Sequence, residues 1–179
     1  MRRRVWLSLA LLLPWAVVAQ APTFSDAIEL LGQERSYAEF GAGILKAYAN
    51  DDVEGRRLYD EAKAAFDDLI EQLLADLAQD RDPTLSPAFS ERLDAAVGKR
   101  VAFSEHIDEI IKSQLPKAAK PGLADALAKG PGEVIKALVD GGISIWREWH
   151  GAGKEQRDKI AERLEAQRWK PFADIAPTP

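Results

Sequence analysis

Apolar residues recur every three or four positions along most of this chain, a period that predicts helices rather than strands. From about Ser25 to Tyr48 the stripe is Leu31, Ala38, Ala42, Leu45 and Tyr48, weakened by Gly41 and Gly43. After Asn50-Asp51 a second helix is predicted to about Ala78. Its stripe is Leu58, Ala62, Ala65, Phe66, Leu69, Leu73 and Leu77, and Asp51-x-x-Glu54 has capping-box spacing at its start. The polar stretch QDRDPTLSP precedes a third helix, in which Ser86 caps and Pro87 takes the first position. Phe89, Leu93, Ala96, Val97, Phe103, Ile107, Ile110 and Ile111 carry it to about Leu115.

LPKAAKPG stops the third helix. A short helix near Leu123–Ala128, one from Pro131 to Trp149 and a last one from about Glu155 to Trp169 follow. The tail KPFADIAPTP holds three prolines, which preclude a regular helix there. Alternation of period two is nowhere sustained, so strands are not expected. The predicted fold class is all-α: an antiparallel up-and-down helical bundle of three long helices with two or three shorter C-terminal helices packed on it. Its core bundle spans about 25–115 and its C-terminal helical part about 121–172, within one domain over 20–179.

Residues 1–19, MRRRVWLSLALLLPWAVVA, break the pattern and read as a signal peptide. Three arginines precede an apolar run from Val5 to Ala19, and Val17 and Ala19 suit the positions before a cut. That run is fifteen residues long and contains Pro14, short of the roughly 20 that span a bilayer. Cleavage would leave 160 of the 179 residues and move the formal charge from −5 to −8. The expectation is a periplasmic or secreted protein with no membrane span after cleavage. Its acidity argues against nucleic acid, which is held largely by Lys and Arg on phosphates. The absence of cysteine excludes disulfides, thiolate nucleophiles and covalent c-type haem.

Chemical motifs are sparse. Ser104, Glu105 and His106 are adjacent, but neighbouring helical residues point about 100° apart, so Ser104 and His106 do not face each other. His106-x-x-Glu109 would put two ligands on one face, yet no second copy exists, since Arg147 lies three residues before His150. No catalytic, metal or cofactor residues are therefore assigned, and His106 is expected to be a half-buried structural residue.

Four residues stand out as candidates for binding a partner or ligand. Arg100 interrupts the third stripe and is either paired with an acid of the second helix or a cleft-facing anion anchor. Trp146, Trp149 and Trp169 all fall in the last 34 residues. Trp146 and Trp149 continue the stripe Ile135, Leu138, Val139, Gly142 and Ile145, which points to packing. Trp149 and Trp169 are expected to pin the last helix, or the Lys170-Pro171-Phe172 turn, onto the bundle. Gly141-Gly142 suggests a close helix approach or a kink.

Charge is segregated as well, with a net −7 over residues 51–80 and +2 over 146–170. Such faces can pack within the monomer or steer a partner. The functional expectation is an exported, non-catalytic accessory, inhibitor or scaffold acting through a protein partner. A carrier for an apolar or anionic small molecule between helices is the alternative, and a carboxylate-based hydrolase comes third.

Overall fold

Thr23 starts the bundle. Its hydroxyl accepts from the Asp26 N–H at 3.3 Å, while the Asp26 carboxylate accepts from the Thr23 N–H at 2.6 Å, a reciprocal box closing the first turn. The computed structural model describes residues 23–114 and 131–178, with side chains for all of these except 131–138. The expected signal segment, the short helix near Leu123–Ala128 and the side chains of Ile135 and Leu138 lie outside the described residues.

Five α-helices are present among the described residues: α1 (Phe24–Tyr48), α2 (Val53–Ala78), α3 (Pro87–Gln114), α4 (Pro131–His150) and α5 (Lys154–Glu165). Two 3-10 turns, Pro83–Leu85 and Phe172–Asp174, complete the regular structure. The three long helices pack together and the shorter C-terminal ones cover them, the all-α bundle that the periodicity predicts. None of the described helices is long and apolar enough to cross a membrane.

α2 and α3 are antiparallel. Asp52 at the start of α2 meets His106 late in α3, and Glu61 meets Lys99 at 2.6 Å further along. α3 runs in the same direction as α1, because Glu34 pairs with Arg100 and Gly41 faces Phe103 and Ile107. α4 lies on α1 at the point where Gly141 faces Ala27. A methyl group on Gly141 would sit 3.1 Å from the Ala27 methyl, so the glycine pair serves close helix approach.

Several boundaries and faces differ from expectation. Asp52, not Asp51, caps α2, its Oδ1 accepting from the Gly55 N–H at 2.9 Å. A box with Glu54 therefore does not form, and Glu54 pairs with Arg57 instead. The buried face of α2 carries Tyr59 and Ile70, whereas Leu58 and Ala65 are half-buried. The face is turned because α2 is covered twice, by α3 and by the end of the chain: Tyr59 touches Phe103, Trp169 and Phe172 together.

α5 ends at Glu165, four residues before the expected Trp169. Lys170 precedes Pro171 and is biased away from helical geometry, and Arg35 of α1 donates to the Ala166 carbonyl just past the helix end. The chain then turns, and Trp169 swings back onto α2.

Candidate functional site

Arg100 is 8% exposed and its guanidinium points inward. Nε donates to Glu34 Oε2 at 2.9 Å and Nη1 to Ser104 Oγ at 2.8 Å. Glu34 is itself only 7% exposed. The partner acid belongs to α1, not to the second helix as expected. Helical period places Arg100 on a face but does not say which neighbour covers that face. With both charges consumed in a buried pair, Arg100 does not line an open cleft.

Ser104 and His106 diverge as their spacing requires. Ser104 serves Arg100, while Nε2 of the half-buried His106 lies 2.6 Å from Asp52 Oδ2, tying α3 to the cap of α2. Burial pushes the Asp52 carboxyl up. The Gly55 N–H, together with the hydrogen bond and charge of His106, outweighs that effect and holds the group below its ordinary value. A carboxyl lowered in the folded state stabilises the fold above its unfolded pKa, near 3.8, and this contribution is lost as pH falls through the folded value. Asp52→Ala should cost about 1 kcal/mol at about pH 5, the usual worth of an N-cap. The wild-type advantage should shrink below pH 3.8, as read from urea unfolding across that range. An advantage that grew on acidification would contradict this assignment.

Trp169 is 3% exposed and stacks on Phe66, with ring centroids 5.1 Å apart at 26°. Trp149 is 9% exposed and carries Arg157 of α5 over its ring at 5.4 Å. The Arg157 Nε also donates to the Trp149 and Ala152 carbonyls at 3.2 and 3.1 Å. The two indoles thus hold the chain end and α5 onto the bundle. Neither indole N–H has an acceptor among the described residues, so ring contacts rather than hydrogen bonds account for their burial.

Trp146 differs from the other two. It is half-buried at the edge of the core, with the His150 ring 5.0 Å from its own. The exposed His150 has Nδ1 3.5 Å from Asp80 Oδ1, and Arg157 Nη2 lies 3.7 Å from the same oxygen. Exposed Arg147 and Glu148 follow Trp146 directly. One end of the bundle therefore presents an indole beside the His150 imidazole, with the Asp80 carboxylate near both that imidazole and the Arg157 guanidinium.

Asp80 holds a left-handed conformation with φ 55°, where glycine is usual after a helix and other residues cost about 1 kcal/mol. The turn is closed by Arg81 N–H donating to the Asp76 carbonyl at 2.9 Å, while the Arg81 guanidinium reaches the fully buried Asp76 carboxylate at 3.0 Å. Nothing in QDRDPTLSP marks Asp80 or Asp76 for these roles. Asp76 meets Arg81 within the turn itself, whereas Asp80 reaches His150 of α4 and Arg157 of α5 across it. Part of the segregated charge is met inside the chain, through Arg157 to Asp80; Arg168 Nη1 adds a neutral tie to α2, donating to the main-chain carbonyl of Asp67 at 3.1 Å.

The pocket lined by Ala27, Leu31, Leu69, Phe89, Gly142 and Ile145 is apolar and holds about 20 Å3, room for a water molecule. A second hollow of about 250 Å3 lies outside the core and is polar, bounded by Asp68, Glu71, Gln72, Ala75 and Arg92. Small-molecule sites are typically apolar clefts of about 300–1,000 Å3 with a few convergent polar groups. Among the described residues, no group of three or more His, Cys, Asp or Glu side chains is placed to hold a metal ion. No protein-family model, curated protein or solved structure matches the chain.

Proposed function

We propose that this chain is exported after removal of residues 1–19 and acts without catalysis, binding a protein partner through the end of the bundle that carries Trp146. The observation carrying this reading is the half-buried indole of Trp146 with the exposed His150 ring against it, and Asp80 and Arg157 linked to that imidazole. Tryptophan and arginine dominate the energetics of protein interfaces, and a partly open indole in a polar rim has the composition of such a contact. Asp80 supports it further: a residue kept in a strained conformation positions the carboxylate between His150 and Arg157. The small apolar pocket favours partner contact over the carrier alternative.

A photo-crosslinking residue at Arg147 in the native host tests the site. A discrete heterologous adduct is expected from position 147 and none from Glu105, which is exposed on α3. Trp146→Ala should abolish the adduct while lowering the unfolding free energy by about 1 kcal/mol or less, because the side chain is only half-buried. An adduct insensitive to W146A, or equal labelling from position 105, removes the support for this face. Export is checked separately: the mature chain should begin at Gln20 by mass spectrometry of the exported fraction.

A further inference from the structure

Two contacts fix how the turn after α2 runs alongside α4. Thr84 lies against Gly142, where an added methyl group would come 3.3 Å from the Thr84 Cγ2. Asp80 lies against His150, Oδ1 to Nδ1 at 3.5 Å. Trp146 stands one helical turn after Gly142 and one before His150, on the same side of α4, so it faces the stretch between these contacts. His150 takes the final position of the helix. Its ring lies 5.0 Å from the Trp146 ring at 40°. The imidazole side chain is 63% exposed while the indole is half-buried, so the imidazole forms the outer layer of the pair.

Charges of both signs surround that imidazole. A proton on it is attracted by Asp80 from the turn, by the face of the indole and by the carbonyl end of α4. It is opposed by Arg157 of α5 and by Arg147, three residues earlier on α4. Arg157 is committed elsewhere: its Nε donates to the Trp149 and Ala152 carbonyls, and its guanidinium covers the Trp149 ring. Arg81 is turned onto Asp76, and Glu148 accepts from Gln156 at 2.6 Å. The closest charge to the imidazole is therefore the Asp80 carboxylate, and attraction prevails. Asp80 reaches this place from a left-handed backbone with φ 55°, a conformation that costs energy and persists because the turn around it is closed by Arg81 N–H on the Asp76 carbonyl.

We propose that His150 is a proton-operated cover for Trp146. With the proton on, Asp80 holds the imidazolium over the indole. With it off, the ion pair and the cation–π attraction are both lost, the ring turns into solvent, and the indole is open to contact. Histidine is the side chain that ordinarily changes charge between pH 5 and 8, so mild acid closes the face and neutral pH opens it. The consequence, partner binding that weakens on acidification, rests on the partner reading of the Trp146 face given above. The cover itself does not.

The cover is read by acrylamide quenching of the full chain. The emission of Trp146 is isolated by subtracting that of Trp146→Phe. In wild type, acrylamide should reach Trp146 about twofold less readily at about pH 5.5 than at about pH 7.5. His150→Gln should abolish the difference. Asp80→Asn removes the charge but keeps a residue that tolerates the left-handed turn, and should remove most of the difference; Asp80→Gly serves if that variant does not fold by circular dichroism. Equal access at the two pH values in wild type, or a difference that survives His150→Gln, overturns the proposal. The crosslinked adduct from position 147 reads the consequence: its yield should fall several-fold from the higher pH to the lower, and should not fall in a His150→Gln chain. A yield that is unchanged or higher in acid overturns the regulatory role. Absence of the adduct at both pH values counts against the partner reading alone, and the quenching result then decides the cover.

Discussion

Trp169→Ala is expected to lower the unfolding free energy by about 3–5 kcal/mol, equivalent to a fall of roughly 10 °C in the thermal midpoint for a domain of this size. The ring is 3% exposed and lies against both Phe66 and Tyr59, with centroids 5.1 and 5.9 Å away. Removing it opens a cavity at the place where α2 meets the end of the chain, and the stacked partners can close it only partly. Trp169→Phe separates ring packing from the indole N–H. That N–H is buried without an acceptor among the described residues, so the phenylalanine variant keeps an aromatic surface and discards an unsatisfied donor. Its expected cost is under about 1.5 kcal/mol, in the range of well-tolerated apolar exchanges. Equal losses for the two variants, by differential scanning calorimetry, would show that the indole N–H, not the ring, is what matters.

The second large effect concerns the buried pair. Arg100→Met leaves the Glu34 side chain without its guanidinium partner in a site 7% exposed, and breaking such a pair typically costs about 3–5 kcal/mol. Ser104 also loses the Nη1 donor. The double variant Arg100→Met/Glu34→Leu removes both charges together. It should recover most of the loss, since replacing a buried pair with apolar residues of similar size is often neutral or stabilising. Chemical denaturation of the two single variants and the double variant gives the coupling directly. Additive losses would mean that the two side chains do not interact as the 2.9 Å contact implies.

These two sites also mark what sequence can and cannot convey. The stripe of α3, from Phe89 to Ile111, is legible in full, including the interruption at Arg100, because one helix face simply repeats. The identity of Glu34 as the partner is not, since period gives a direction and not a neighbour. On α2 the period is equally clear, but adjacent positions compete: Leu58 reads as core, whereas Tyr59 is the residue buried. The second covering element that decides between them is the tail, more than a hundred residues away. Three prolines correctly deny that tail a helix, yet nothing local in KPFADIAPTP announces Lys46, Tyr59 or Gly43 as its contacts. The Trp146 face is partly legible. The indole pair and His150 are evident at helical spacing, while the contribution of Asp80 depends on a left-handed turn with no glycine to signal it.

The contacts that close the tail onto α1 join residues far apart in the chain: 131 positions separate Arg35 from Ala166 and Glu39 from Lys170, and 129 separate Lys46 from Ile175. Contacts this distant in sequence require a long loop to close before they stabilise anything, so the seating of the tail on α1 is a slow, late step of folding rather than part of its nucleus.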